Sequence, residues 1–202
     1  MRFRQLCKLA CVASAVVASA AANATVVTFD SLANAGQYQF AGDGITYSES
    51  GLTFTSNLPS PESLLVWGAQ SGYDADPHGG ATLAQNYFGQ YLTITKAGGG
   101  AFTLNSIDIA DVWNQGSGED VNYTWVDAGG SHMSSVTLDR QPGLQTFDFN
   151  LSGVTSFALE AGGSFQMDNV TYSTSSVPEP GSLALMTAGL LGLAGAVRRR
   201  RA

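Results

Sequence analysis

Cysteine is almost absent from this sequence of 202 residues. Its two cysteines, Cys7 and Cys11, both fall near the N-terminus. No internal disulfide can therefore hold the rest of the chain together, even in an oxidising compartment. The stretch from 25 to 172 must fold on a hydrophobic core, and it is long enough to build one as a single domain.

Basic residues are also scarce between the two ends. From residue 25 to 177 only Lys96 and Arg140 are basic, whereas eleven Asp and four Glu are present. The formal charge of this stretch is −13, compared with −7 for the whole chain. Because such a surface repels phosphate backbones and anionic lipids, the composition argues against nucleic acid as a partner. It suits an extracellular domain, a cation-binding domain or a domain that binds neutral glycans.

Residues 1–24 predict a secretory signal peptide. Basic residues at positions 2, 4 and 8 precede an apolar run from 9 to 22, and Ala22-Asn23-Ala24 supplies small residues for cleavage. These are the three parts of a segment that signal peptidase removes. A buried N-terminal helix is the alternative, but such a helix would show a polar face, which this run lacks.

The C-terminal residues form a second targeting segment. A small polar linker at 173–177 is followed by Pro178-Glu179-Pro180, and then by apolar or small residues from 182 to 197. The chain closes on four arginines before its last residue, namely Arg198, Arg199, Arg200 and Arg201. This pattern predicts a short membrane helix over 182–197, with the arginines holding the C-terminus on the cytoplasmic side.

The order of these parts resembles the PEP-CTERM sorting signal of Gram-negative bacteria. A Pro-Glu-Pro motif, a short apolar helix containing Gly-Leu-Leu-Gly-Leu-Ala-Gly and an arginine cluster occupy 178–202. The resemblance implies that exosortase, a membrane protease-transpeptidase, recognises Pro178, Glu179 and Pro180 and removes the tail. The precursor would then stay in the inner membrane only transiently before it reaches the cell surface or an exopolysaccharide matrix. An ordinary anchor that is never cleaved is the alternative.

Between the two ends, from 25 to 172, apolar residues alternate with polar ones. Each run is short and bounded by Gly, Asn, Asp, Ser or Pro, which is typical of antiparallel strands with one buried face. Residues 26–30, 102–110 and 134–138 predict further strands, and a change of register at Asn105-Ser106 predicts a bulge or bend. The alternating sets are Leu52 and Phe54; Leu92 and Ile94; Val121, Tyr123 and Trp125; Phe147, Phe149 and Leu151; Phe157 and Leu159; and Phe165 and Met167.

Nine or ten strands of this kind predict an all-β domain. We expect an antiparallel, two-layer β-sandwich with a jelly-roll-like order, and an up-and-down barrel is the alternative. Residues 59–86 lack clear alternation, so they predict a long loop that is functional or disordered.

Catalytic signatures are missing from the expected domain. Its only histidines, His78 and His132, lie in turn-like contexts where a solvated side chain is the usual state. Neither a Gly-x-Ser-x-Gly motif nor a cysteine nucleophile is present. The sequence therefore favours a non-enzymatic protein, and a secreted polysaccharide hydrolase that uses a pair of carboxylates is the alternative.

A structural calcium ion is one candidate ligand. Asp30 follows the first predicted strand, whereas Asp168 and Asn169 lie in the last one. Terminal strands of a sandwich are often neighbours, and oxygen donors suit Ca²⁺. Carbohydrate-binding jelly rolls look similar here, which implies a calcium site at Asp30, Asp168 and Asn169. The alternative is that these side chains only cap backbone groups at a turn and a bulge.

Aromatic residues in or beside predicted loops are the other candidates. Trp67, Tyr73 and Trp113 could stack on sugar rings, and Tyr87 and Tyr91 have a similar setting. For Trp67 and Trp113, a partly buried ring that anchors a loop is the alternative. Together these observations predict an exported surface or matrix protein, either structural or glycan-interacting, with exopolysaccharide as its possible partner.

Overall fold

The computed structural model describes residues 23–33, 39–68, 80–85, 89–111, 120–139, 141, 143–161, 165–174 and 189. Of the predicted signal peptide only Asn23 and Ala24 belong to these residues, and of the predicted membrane helix only Gly189. Within the described residues, no helix combines the length and the apolar character needed to cross a membrane. Residues Asn23–Ser175 belong to one compact unit.

The described part of this unit is built from strands, and its only helical element is a 3-10 turn at Asp30–Leu32. The prediction of an all-β fold is therefore confirmed. In chain order the strands are β1 (Ala24–Val27), β2 (Gln39–Phe40), β3 (Thr46–Glu49), β4 (Leu52–Ser56), β5 (Leu64–Gly68), β6 (Ala81–Gln85), β7 (Tyr91–Lys96), β8 (Phe102–Asp111), β9 (Asp120–Asp127), β10 (Gly130–Thr137), β11 (Gln145–Val154), β12 (Ser156–Ala161) and β13 (Phe165–Ser173).

These strands form two antiparallel sheets. Sheet I has the order β11-β8-β13-β6-β5-β2, and β1 also pairs with β13; sheet II has the order β10-β9-β12-β7-β4-β3. Strands β6 to β13 alone give β6-β13-β8-β11 in one sheet and β7-β12-β9-β10 in the other. This is the strand order of an eight-stranded jelly roll, in which the chain passes between the two sheets at each step except the β9–β10 hairpin. The earlier strands lengthen both sheets beyond that unit.

The main core lies between the two sheets, because most strands direct an alternating set of apolar residues to the side that faces the other sheet. The predicted alternation is confirmed in β4, where the pattern of buried and partly exposed residues has period two, and in β9. Aromatic rings fill part of this core; Phe29 meets Phe54 at 5.1 Å, and Phe149 meets both Tyr123 and Phe157 at 5.0 Å. Such edge-to-face pairs stabilise the core beyond their buried area.

The predicted irregularity at Asn105-Ser106 is confirmed. Phe102 and Leu104 face the core before it, and Ile107 and Ile109 face the core after it, so one extra residue is inserted into the alternation. The pairing of β8 with β13 changes register at the same place. A bulge of this kind lets one long strand keep a continuous apolar face while it bends.

The expectation of a long loop over 59–86 is wrong in part, because β5 and β6 lie within it. In β5, the residues from Leu64 to Trp67 are all buried, whichever face of the sheet they occupy. A strand buried on both faces reads as a continuous apolar run and not as an alternation. That is why the period-two criterion missed it.

The first and last strands are neighbours, as expected. Strand β1 pairs antiparallel with β13 from Ala24 opposite Ser173 to Val27 opposite Val170. The other half of β13, from Phe165 to Met167, pairs on that side with β6. Asp168 and Asn169 therefore lie where the neighbour of β13 changes from one strand to another.

Candidate functional site

A groove of about 360 Å³ crosses the outer face of sheet II, the side that faces away from the core. It crosses four neighbouring strands, β7, β12, β9 and β10. We call it the Tyr91 groove, and its size falls in the range of small-ligand sites. It is lined by Tyr91, Thr93, Asn122, Thr124, Met133, Ser156, Ala158 and Glu160.

Small residues on the central strand explain why the flat sheet has a depression here. Ala158 of β12 lies between Thr93 of β7 and Thr124 of β9 in the register of the sheet. Two residues further along β12, Glu160 lies between Tyr91 of β7 and Asn122 of β9. Ala158 thus leaves a floor between taller side chains, and Met133, opposite Thr124, forms the wall on β10.

The backbone of Tyr91 is held on both sides by Asn57. The Asn57 N–H donates to the Tyr91 carbonyl at 3.1 Å, and the Asn57 side-chain oxygen accepts the Tyr91 N–H at 3.1 Å. Tyr91 as a whole is 44% exposed. A fixed backbone with an open ring face is the arrangement that a stacking platform needs.

The groove carries little charge. Glu160 is the one ionisable acid among the lining residues, and no Lys, Arg or His lines it. The remaining polar groups are hydroxyls and the amide of Asn122, which can both donate and accept hydrogen bonds. The lining therefore suits an uncharged ligand rich in hydroxyl groups better than an anionic one.

Of the three aromatic ligand candidates, the described residues include only Trp67. Its side chain is 4% exposed and packs in a small cluster with Leu65 and Ala84, on the outer face of sheet I. This position agrees with the anchoring alternative and leaves almost no ring face for a ligand. Tyr73 and Trp113 lie outside the described residues.

Sequence reasoning missed most of the Tyr91 groove. Tyr91 itself attracted attention as an aromatic residue beside a loop, but Asn122, Thr124 and Glu160 are ordinary outward positions of alternating strands. Such positions give no local signal. Only the order of the strands brings them together.

The predicted calcium ligands do converge in part. Asp30 follows β1, and its Oδ1 accepts the Ala81 N–H at 3.2 Å, at the start of β6. It fits there because residue 80 is glycine; a β-carbon would lie 1.8 Å from that oxygen. Asp168 is near enough to Asp30 for the two charges to interact. We call this pair, with Asp108 and Glu49 around it, the acid junction.

The acid junction also shows the capping contacts that were the alternative to calcium. Asn169 has a positive φ of 47°, as expected for a bulge. Its N–H donates to Asp168 Oδ1 at 2.7 Å, and its side-chain nitrogen donates to Asp108 Oδ2 at 2.8 Å. Asp108 Oδ1 in turn accepts the Thr146 hydroxyl at 2.6 Å. Of these two carboxylates, only Asp168 therefore keeps an oxygen outside these bonds.

Asp168 is 5% exposed. The pKa of Asp168 is raised to about 7, chiefly by burial and also by the negative charges of Asp30, Asp108 and Glu49, against the lowering effect of the Asn169 N–H. A carboxyl in this setting favours either a proton or a nearby cation.

The residues present fit a calcium ion only partly. Within the described ranges, no three His, Cys, Asp or Glu side chains come together as a metal-binding group. An ion at the acid junction would use Asp30 and Asp168 and complete its shell with amide, carbonyl or water oxygens, as Ca²⁺ commonly does. The calcium site remains a prediction.

The one histidine in the described residues has a structural setting. The His132 ring stacks on Trp125 with centroids 4.8 Å apart, and its Nε2 lies 3.0 Å from Asp127 Oδ1. The hydrogen bond from His132, together with the Gly129 N–H, lowers the pKa of Asp127. Among the described residues, no serine or threonine hydroxyl is hydrogen-bonded to His132, so these contacts do not form a nucleophile-base pair. His78 lies outside the described residues.

Comparison with known proteins identifies the C-terminal segment. Residues 176–201 match the PEP-CTERM protein-sorting motif, which confirms the resemblance found in the sequence. The match implies an exported precursor that is processed by exosortase. Pro178, Glu179, Pro180 and the terminal arginines lie within this segment and outside the described residues.

The strand-built unit has weaker similarities. No curated protein sequence matches the chain. The solved structure of TmCBM61 in complex with β-1,4-galactotriose is similar over 63% of this chain and 90% of its own, with 11% sequence identity and a TM-score of 0.35. A similarity at this level does not identify a ligand for the present chain.

Proposed function

We propose that this protein is a non-enzymatic, exported surface or matrix protein that binds neutral glycan chains in the Tyr91 groove. The observation that carries the proposal is the composition of that groove, which combines an exposed ring, several hydroxyls, an amide and a single carboxylate. The exopolysaccharide of the producing cell is the partner we expect, because the sorting motif supports export and the resemblance to PEP-CTERM proteins implies delivery to such a matrix.

Each lining residue has a role that suits a sugar. The Tyr91 ring offers an apolar face to the C–H face of a pyranose. Glu160 of β12 and Asn122 of β9 lie opposite each other in the register of the sheet, and they can share the hydrogen bonds of neighbouring sugar hydroxyls. Because the floor at Ala158 is open along the sheet, the site would bind an internal stretch of a chain as well as its end.

A polysaccharide hydrolase remains the alternative from another class. Glycosidases need two carboxyl groups that face each other across the scissile bond, about 5 to 9.5 Å apart. The described lining of the Tyr91 groove offers only Glu160. Asp168 has the raised pKa expected of a catalytic acid, but it belongs to sheet I and not to the strands of the groove. The binding function is therefore better supported.

The route to the surface is part of the proposal. We expect signal peptidase to remove residues 1–24 and the helix over 182–197 to hold the precursor in the inner membrane. Exosortase would then cut at Pro178-Glu179-Pro180. The domain over 25–172 and the linker over 173–177 would reach the cell surface or the matrix.

Glycan binding is tested by affinity electrophoresis or calorimetry with the purified protein. The probes are a neutral glucan, galactan and mannan, and a polyuronate as the anionic counterpart. We expect binding to at least one neutral polymer and none to the polyuronate, since Glu160 would repel its carboxylates. Tyr91→Ala should weaken binding about tenfold, equivalent to about 1.4 kcal/mol.

Two matched variants control this experiment. Tyr91→Phe keeps the ring and should bind nearly as well as the unaltered protein. Thr53→Ala removes a side chain from the outer face of sheet II, outside the groove lining, and should have no effect. If Tyr91→Ala and Thr53→Ala bind alike, or if the polyuronate binds best, the proposal is wrong.

Sorting is tested in the producing cell. Replacing Pro178, Glu179 and Pro180 by alanine should leave the full-length precursor in the inner membrane, whereas alanines at Ser173, Thr174 and Ser175 should not. The mass of the protein recovered outside the cell shows whether the C-terminal tail has been removed. Normal release of the first variant would contradict processing by exosortase at this motif.

A further inference from the structure

The four edges of the two sheets differ in how well they are protected against pairing with another chain. Unpaired N–H and C=O groups on an edge strand attract further strands, and proteins usually block them with short edges, charges, prolines or bulges. The edge strands here are β2 and β11 in sheet I, and β3 and β10 in sheet II. Strand β1 adds only to the remaining half of β13.

Three of these edges carry a recognisable block. Strand β2 has two residues, and β3 has four and ends at Glu49. Strand β11 is long, but its pairing with β8 is interrupted by two register shifts. It also carries the charge of Asp148 and positive φ angles at Asn150 and Gly153. None of these edges offers a long, regular row of backbone groups.

Strand β10 has no such block. Its eight residues, Gly-Ser-His-Met-Ser-Ser-Val-Thr, include no proline, no Lys or Arg and no acid. It pairs with β9 in continuous register from Gly130 to Thr137. Six consecutive residues, from Gly130 to Ser135, are exposed, so no described part of the chain covers them. Met133 is 77% exposed, more than the other exposed large apolar residues of the described chain.

We propose that β10 is a homodimer edge, through which a second copy of this protein adds antiparallel to extend sheet II across a two-fold axis at Met133. A second copy fits because the edge is neutral in an otherwise acidic domain. The nearest acids, Asp120, Asp127 and Asp139, lie at the two ends of the strand and on β9. Two copies can therefore meet here without placing carboxylates opposite each other.

The hydrogen-bond pattern supports this axis. Asp127 pairs with Gly130 across the two-residue loop Ala128-Gly129, and the closing pair of such a hairpin is hydrogen-bonded. Because bonded and non-bonded pairs alternate, the even-numbered residues of β10 bond to β9. The odd-numbered residues, among them Ser131, Met133 and Ser135, direct their N–H and C=O groups to the open edge.

A two-fold axis that keeps the outer face outward must place residues of equal parity opposite each other. Met133 then bonds to Met133 of the second copy, and Ser131 bonds to Ser135 on either side, which gives about six new backbone hydrogen bonds. The two Met133 side chains come to lie against each other on the outer face and lose their exposure. Two Tyr91 grooves would then share one continuous face.

Disulfide trapping tests the arrangement in the full chain with Cys7 and Cys11 replaced by alanine. In a hydrogen-bonded antiparallel pair the Cα atoms are about 5.5 Å apart, which suits a disulfide. Met133→Cys should therefore form a covalent dimer under mild oxidation. Ser131→Cys is the matched control, because it is on the same strand and face but lies opposite Ser135 and not opposite itself. Dimer formation at least tenfold faster for Met133→Cys is the expected result.

A second measurement needs no cysteine. An edge contact of this size is small for a stable interface, so we expect association in the micromolar range by sedimentation equilibrium. Ser135→Pro removes one open-edge N–H without touching the bonds to β9, and it should give monomers. The surface control is Thr53→Lys, which should still dimerise. A proline at 53 would not serve, because β4 is paired on both sides within sheet II. Equal trapping at 131 and 133 would overturn the proposal. A monomer at all concentrations would also overturn it, and this is the result expected if the edge binds a different protein.

Discussion

The outer faces of the two sheets have similar secondary structure but opposite environments. On sheet II, Tyr91 is 44% exposed at the end of a shallow groove; on sheet I, Trp67 is 4% exposed beside Leu65 and Ala84. Polar groups on the outer face of sheet I are also buried, and the Thr82 hydroxyl donates to the side-chain oxygen of Gln166 at 3.0 Å. An aromatic residue at the edge of a predicted loop can therefore be a surface platform or a packing anchor, depending on which sheet carries it.

The two outer faces also differ in whether a substitution changes ligand recognition or the stability of the fold. A polar or ionised group on the open face of sheet II keeps its water, so a substitution there changes recognition and hardly changes stability. On the covered face of sheet I, buried groups must be packed, paired or protonated. The following predictions test that difference, beginning with the largest expected effect.

Replacing Trp67 by alanine should lower the free energy of unfolding by about 3 to 5 kcal/mol, because a large buried side chain leaves a cavity. Tyr91→Ala, on the open face, should change it by less than about 0.5 kcal/mol. Urea unfolding followed by circular dichroism gives both values. Equal losses for the two variants would remove the distinction between the two faces.

The stability of the protein should fall as the pH rises from about 4 to 7, because of Asp168. Its pKa is raised from 3.8 to about 7 in the folded state, so between these values the folded chain binds a proton that the unfolded chain has lost. The loss amounts to at most about 4 kcal/mol and is complete above pH 7. Asp168→Asn should abolish this part of the pH dependence, measured in EDTA by urea unfolding at several pH values.

Asp148→Asn is the matched control for that series. Asp148 is exposed on β11, so its substitution should leave the slope between pH 4 and 7 unchanged. A slope that persists in Asp168→Asn would mean that another group carries the proton.

Calcium at the acid junction gives a smaller effect. For dissociation constants between about 0.1 and 1 mM, which are typical of extracellular modules, 10 mM Ca²⁺ should stabilise the fold by about 1.4 to 2.7 kcal/mol. The melting temperature should rise more at pH 8 than at pH 5, since a proton on Asp168 competes with the ion. Asp168→Ala should abolish the rise and Asp148→Ala should keep it. No rise at either pH would exclude a useful calcium site.

Much of the fold was predictable from local pattern. The alternation at Leu52 and Phe54 and the change of register at Asn105-Ser106 follow from the requirement that a strand bury one face, so both were recognised. Strands β5 and β6 were missed because the residues from Leu64 to Trp67 and from Ala81 to Ala84 are buried on both faces and show no alternation. A period-two pattern reports a half-buried strand and is blind to a fully buried one.

The candidate site was less predictable than the fold. The pairing of the terminal strands followed from the general closeness of chain ends, and it brought Asp30 to Asp168 as expected. The Tyr91 groove, in contrast, combines residues from β7, β9, β10 and β12 that are far apart in sequence. Their side chains face outward, and outward positions place almost no constraint on residue type.

The sequence by itself determined that this protein is made as an exported precursor with a sorting signal, and it determined the class of the fold. A sorting signal is a linear segment recognised by the export machinery, and the alternation within a strand follows locally from having one buried face. Both can therefore be recognised from the order of residues alone. Only the tertiary structure decided which acid is buried, which aromatic is open and which strand edge is left unprotected. Those properties depend on the order of strands within two sheets, and that order is set by packing between residues distant in the chain.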